Sequence, residues 1–149
     1  MDYLAFPRQH VGHALLQMVG AADLIVDEQD CLLLMKCSDS GCWGLPGGAV
    51  ELGEVLKWQP GARFVKRPGW NLAKYRFSAS SPVRRCFYVY PNGDEVYNVT
   101  IDYLACLSSG EAYLNDEYTV WRWFAPEEIP ENISPPIQPV IARFVKADD

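Results

Sequence analysis

The run Trp43-Gly44-Leu45-Pro46-Gly47-Gly48-Ala49-Val50-Glu51-Leu52-Gly53-Glu54 holds residue types that suit contact with a phosphate or a hard cation. Gly47 and Gly48 carry no Cβ, so the backbone there can approach a phosphate or metal closely. A plain turn is the ordinary alternative, and the flanking residues favour the binding role. Arg8 could contact a phosphate, although a surface arginine is the default. Tyr90, Tyr97, Tyr103 and Trp43 could stack on a nucleobase, but aromatics at strand spacing more often serve the core. His10 and His13 are assigned no role. A zinc site from Cys37, Cys42, His10 and His13 would have a spacing that matches no common zinc motif.

Downstream, residues 57–68 hold four basic residues, Lys57, Arg63, Lys66 and Arg67, and no acidic one. Pro60-Gly61 interrupts the same stretch, where proline costs ~3 kcal/mol and glycine ~1 kcal/mol in a helix interior. A hard divalent cation requires oxygen ligands. As written, the stretch is expected to form neither a regular helix nor a metal site.

The run from Gly48 to Trp70 resembles the Nudix box, G-x5-E-x7-R-E-U-x-E-E-x-G-U, in which U is a bulky apolar residue. Gly48 and Glu54 have the box spacing, and Gly69-Trp70 close it in register. Between them, Ala62-Arg63 and Lys66-Arg67 stand where the family has Arg-Glu and Glu-Glu pairs. The resemblance implies a hydrolase that cuts diphosphates linked to a nucleoside or another group. It implies Mg2+, or Mn2+, as the cofactor, and metal-binding glutamates on one helix face. It assigns Gly48 a backbone carbonyl toward the metal, and Glu54 a part in metal binding or in holding the loop. Glu51 matches a common acidic position that is more often structural. Glu117 occupies a region where relatives carry a further base or ligand, with a solvated loop carboxylate as the plain alternative. Asp102 is a weaker candidate. The family metal positions hold Arg63, Lys66 and Arg67, so the printed chain is expected to hydrolyse poorly. The alternative is a catalytically inactive nucleotide- or phosphate-binding module.

The spacing from Gly48 to Gly69 survives this loss, which suggests compensated frameshifts. Read one base earlier, permitted codons for 57–69 can give E-V-A-A-R-R-E-I-C-E-E-T-G. That string returns every box residue to its position and removes the Pro-Gly breaker. Residues 78–85, shifted alike, can read F-S-I-F-S-G-P-E, similar to the segment that relatives carry before a tyrosine-rich hairpin.

The elements that must position these residues are mostly strands. Apolar patterning predicts strands over Met18–Val26, Cys31–Met35, Trp43–Leu45, Phe87–Tyr90, Glu95–Leu107 and Val120–Phe124. Pro91-Asn92-Gly93-Asp94 signals a hairpin. Pro126–Pro130 can form one helical turn. Ser134 is a candidate cap for a terminal helix in which Ile137, Val140, Ile141, Phe144 and Val145 recur at helical spacing. The layout reads as α+β. The resemblance narrows it to an α/β/α sandwich with a mixed β-sheet, its box helix disrupted.

The 149 residues suit one domain. A net charge of -6 argues against a nucleic acid polymer as partner. No apolar run approaches the ~20 residues of a membrane span, and no signal peptide is evident. Five cysteines without a C-x2-C pair fit reduced thiols in a cytoplasm. The partner implied is a nucleoside diphosphate-type small molecule. A homodimer is compatible with the resemblance.

Overall fold

The computed structural model describes residues 4–50, 71–77, 85–109 and 118–147. Its elements, in order, are α1 (Ala5–Val11), β1 (Leu16–Val26), β2 (Leu32–Cys37), β3 (Trp43–Gly44), β4 (Gly47–Ala49), β5 (Asn71–Phe77), β6 (Arg85–Val89), β7 (Glu95–Ser109), β8 (Tyr118–Phe124) and α2 (Gln138–Ala147). Single 3-10 turns form at Pro126–Glu128 and Pro135–Ile137.

One mixed sheet contains all the strands of the described residues. Its main path is β3-β2-β1-β7-β5, with β4 on β1, β6 on β7 and β8 on β2. The β1–β7 pair is parallel along its length, from Leu16 opposite Val96 to Val26 opposite Cys106. The other strand pairs are antiparallel.

Buried residues lie on both faces of this sheet, which explains why β1 and β2 read as continuous apolar runs rather than alternating ones. Ala22, Leu24, Val26, Leu32, Leu34, Leu45 and Phe124 pack with Val140 and Ile141 of α2. Ile25, Leu33 and Ala105 point the opposite way and are fully buried, with Trp121 and Trp123 of the neighbouring strand β8 packed against them. This is the mixed sheet expected of the α+β reading. The expected disruption of the box helix concerns 57–68, outside the described residues.

The β6–β7 connection forms where Pro91–Asp94 predicts it. The Gly93 amide donates to the Tyr90 carbonyl at 2.8 Å, and the Tyr90 amide to the Asp94 carbonyl at 2.9 Å. Gly93 alone of the turn takes positive φ, at 90°. This is a three-residue loop closed by a left-handed glycine, rather than an Asn-Gly pair with both residues left-handed.

The expected cap at Ser134 differs. Ser134 precedes the Pro135–Ile137 turn and makes no side-chain cap bond. The two prolines favour a tight turn before α2 begins at Gln138. Helix α1 and strands β4 and β5 lack an apolar period strong enough to announce them.

Asp102, 1% exposed, accepts a 2.6 Å hydrogen bond from Arg143 Nη2 of α2. The pair joins helix to sheet and accounts for an acid within an apolar strand, a structural role instead of the catalytic one considered for it. Arg143→Met should destabilise the fold by about 3 kcal/mol, because it leaves a buried carboxylate without this cation. Urea unfolding would show the midpoint fall, and adding Asp102→Asn should recover part of the loss.

Candidate functional site

A cavity of about 590 Å3 lies on the sheet face that α2 covers further along. Its floor is set by the parallel register, which places Met18 beside Asn98 and Gly20 beside Thr100. Strand β4 forms one wall, while Tyr88 and Tyr90 form another. The β2–β3 turn contributes Asp39 and Ser40.

The glycine pair serves close packing. Gly47 and Gly48 belong to β4, opposite Ala22 and Ala21. The ladder continues through Asp23 N–H donating to Pro46 O at 2.8 Å and Val50 N–H to Val19 O at 2.7 Å. Neither glycine has positive φ. A Cβ on Gly47 would instead lie 2.6 Å from the Ala21 carbonyl oxygen. Glycine is therefore required by strand approach, not by turn geometry. The Tyr118 hydroxyl, 3.4 Å from the Gly47 carbonyl, adds a polar contact across the cavity edge.

The tyrosines alternate with outward residues. Tyr88 and Tyr90 make an edge contact, with ring centroids 4.9 Å apart. Phe87 and Tyr97 pair on the other side of the hairpin, where both are exposed. Burial first, then the negative potential of Cys42, Asp39 and Cys37, raises the Tyr88 pKa. Burial also raises that of Tyr90, opposed by a hydrogen bond with Asn98. Both hydroxyls therefore remain protonated and able to donate at neutral pH. Asn98 is only 3% exposed and places an amide at the cavity floor.

Of the four aromatics considered for stacking, Tyr90 alone lines the cavity. Trp43 packs on Phe124 at 5.0 Å, Tyr103 is buried, and Tyr97 faces outward. Tyr88, Tyr118 and Asn98 were missed by sequence reasoning. Period-two alternation through Cys86, Tyr88 and Tyr90 was the available signal for Tyr88.

Arg8 touches the cavity, but its guanidinium is directed at protein oxygens. Nη1 donates to Gly12 O at 3.0 Å and Ala14 O at 2.5 Å, and Nη2 to Glu95 O at 2.9 Å. Its Nε lies 3.5 Å from Asp94, which also meets His13 Nδ1 at 2.7 Å. Arg8 thus straps α1 to the β6–β7 turn, and a phosphate would compete with these partners. The expected site residues Glu54 and Glu117, with Arg63, Lys66, Arg67 and Glu51, lie outside the described residues.

The residues expected to hold the divalent metal all lie outside the described residues except Gly48, which belongs to β4. Among the described residues no group of three or more His, Cys, Asp or Glu could hold a metal ion. That removes the zinc arrangement of Cys37, Cys42, His10 and His13. Of the cavity carboxylates, Asp39 caps its own turn and Asp94 is held by Arg8 and His13. Among the described residues no helix is long and apolar enough to cross a membrane.

No family model matches the chain. It is 29% identical over 119 residues to a MutT-like protein of Streptomyces ambofaciens, an alignment spanning 80% of this chain and 71% of that protein. It is similar in structure to a MutT protein from Methanosarcina mazei, with a TM-score of 0.61, 20% identity, and coverage of 89% and 96%. A MutT Nudix hydrolase from Burkholderia pseudomallei matches with a TM-score of 0.54, 22% identity, and coverage of 88% and 97%. These likenesses establish the α/β/α sandwich fold.

Gly47→Ala should destabilise the protein by about 1–3 kcal/mol, since the clash is with backbone and β4 must shift. Thermal unfolding would register this as a lower Tm. A second expectation concerns pH. Hydrogen bonding to His13, with further help from Asn92 and Arg8, holds the Asp94 pKa below its usual 3.8. The carboxylate's contribution is complete above that value and is lost as pH falls through the lowered folded pKa. Protection of the Gly12 amide against hydrogen exchange, corrected for intrinsic rate, should stay level down to about pH 4 and decline below it. Asp94→Asn should reduce that protection and flatten the decline.

Proposed function

We propose that this chain, a MutT-like protein of the Nudix family, is by descent a hydrolase of nucleoside diphosphates linked to another group, with hydrolysis impaired in the printed sequence. The observation that carries the binding half is the cavity of about 590 Å3 floored by Asn98 and walled by Tyr88, Tyr90 and the glycine strand. Its volume lies within the range of small-molecule sites. A tyrosine ring can pack on a planar base, and the Asn98 amide can donate and accept hydrogen bonds at the base edge. The glycines leave room beside the backbone for a phosphate. ADP-ribose, oxidised nucleotides, dinucleoside polyphosphates and sugar nucleotides all suit this class.

In the family, Mg2+ or Mn2+ neutralises the diphosphate when bound. The residue types here do not fit such an ion: the positions of the family glutamates are Arg63, Lys66 and Arg67, whose cationic side chains offer no oxygen ligand. Glu54 and Glu117 remain the proposed acid–base candidates, with Gly48 the proposed carbonyl donor should a metal-binding segment be restored. We further propose that compensated frameshifts produced residues 57–68, and that the protein works in the cytoplasm, where reduced thiols persist.

Two measurements test this reading. Turnover of ADP-ribose and of a UDP-sugar should be at least about 100-fold below that of a chain carrying E-V-A-A-R-R-E-I-C-E-E-T-G over 57–69, the scale of losing charge stabilisation at a reacting phosphate. The triple change Arg63→Glu, Lys66→Glu, Arg67→Glu alone should restore little, because Pro60 remains and proline disfavours a helix interior. Robust Mg2+-dependent turnover by the printed chain would overturn the impairment. Equilibrium dialysis without metal should show saturable binding of the same nucleotides, and no binding across the panel would overturn the nucleotide site. Codons 54–87 decide the frameshift origin.

A further inference from the structure

The β2–β3 hairpin holds two cysteines opposite one another. Met35 pairs with Gly44 and Lys36 with Trp43. The next rung is Cys37 with Cys42, closed by the Cys37 amide donating to the Cys42 carbonyl at 2.8 Å. Residues opposed on such a rung have Cα atoms about 5.5 Å apart and side chains on the same face. That separation lies inside the usual Cα range of disulfides, about 4.4–6.8 Å. The intervening turn is already closed. Gly41, at φ 69°, donates to the Cys37 carbonyl at 3.0 Å, and the Cys42 amide donates to Ser40 Oγ at 3.2 Å. Both cysteines are partly exposed thiols.

We propose that Cys37 and Cys42 form a reversible dithiol–disulfide pair, oxidised by small-molecule disulfides of the glutathione class. One cysteine thiolate attacks the small disulfide, forming a mixed disulfide and releasing one small thiolate, which takes up a proton. The second cysteine thiolate attacks the protein sulfur of that mixed disulfide and displaces the other small thiolate. Two protein thiols thereby lose two electrons and two protons, and the small disulfide becomes two thiols. The hairpin favours ring closure, because the second thiol is already opposite the first.

The bond would sit at the cavity wall. Cys37, Asp39 and Ser40 all line it. The proposal does not depend on hydrolysis or on any metal. The remaining cysteines have no opposed thiol on a neighbouring rung: Cys86 faces Asn98 and Cys106 faces Lys74 and Val26, while the Cys31 amide is held by Asp27 in the β1–β2 turn.

The test is a redox titration of the intact chain in oxidised and reduced glutathione, quenched in acid, unfolded, alkylated and mapped by peptide mass. Cys37 and Cys42 should lose alkylation together, joined within one chain, while Cys31 and Cys106 stay alkylated. Dithiothreitol should restore both thiols. In Cys42→Ser, Cys37 should stop at the glutathione mixed disulfide. Alkylation of Cys37 and Cys42 at every ratio would overturn the proposal. So would stable glutathionylation without ring closure, or pairing of either residue with Cys86. The wild-type map decides the matter even if the variant folds badly.

Discussion

The parallel pairing of β1 with β7 is the constraint from which the rest of the molecule follows. A parallel pair buried on both faces needs cover on each side. Here one register runs unbroken from Leu16 beside Val96 to Val26 beside Cys106. Side chains on one face change task along the strands. Met18, Gly20, Asn98 and Thr100 floor the cavity, whereas Leu24 and Val26 lie beneath α2. Asp102, beside Ala22, stands at the transition, and Arg143 secures the helix there. A slip by one residue would send Asn98 to the opposite face and Ile25 into the cavity side, abolishing site and core together.

The outer edges of the pair are divided among shorter strands. β1 carries β4 near its middle and meets β2 at its end, while β7 carries β6 at its start and β5 toward its end. This division lets β4 and β6 rise as walls around a shared floor. The close approach at Gly47 and the alternation that turns Tyr88 and Tyr90 inward are local consequences. The strap from Arg8 to the β6–β7 turn adds α1 as a rim, held by hydrogen bonds where α1 buries no residue of its own.

Much of the core was legible because its residues obey simple periods. Leu32 to Met35 and Leu24 to Val26 form continuous apolar runs, Val140, Ile141 and Phe144 repeat at helical spacing, and Asn92-Gly93 announces a turn. The site was less legible. Asn98 and Tyr118 look like ordinary strand residues until the register sets one on the floor and the other against Gly47. Arg8 looked available for phosphate because its acceptors are backbone carbonyls at Gly12, Ala14 and Glu95, which no side-chain pattern encodes. β4 was hidden because Gly-Gly-Ala has no strand signature, and the ladder to β1 alone makes it one.

By itself, the sequence determined the two-sided core strands, the terminal helix and the likeness to a diphosphate-hydrolase box. It also determined that the family's metal positions in that box hold basic side chains, since charge is a property of the residues themselves. Only the tertiary structure decided which tyrosines face the cavity, that Gly47 is held to glycine by the Ala21 carbonyl, and that Cys37 stands opposite Cys42. Those facts depend on strand register and on approach between segments distant in the chain, and such separations are set by packing rather than by any local preference.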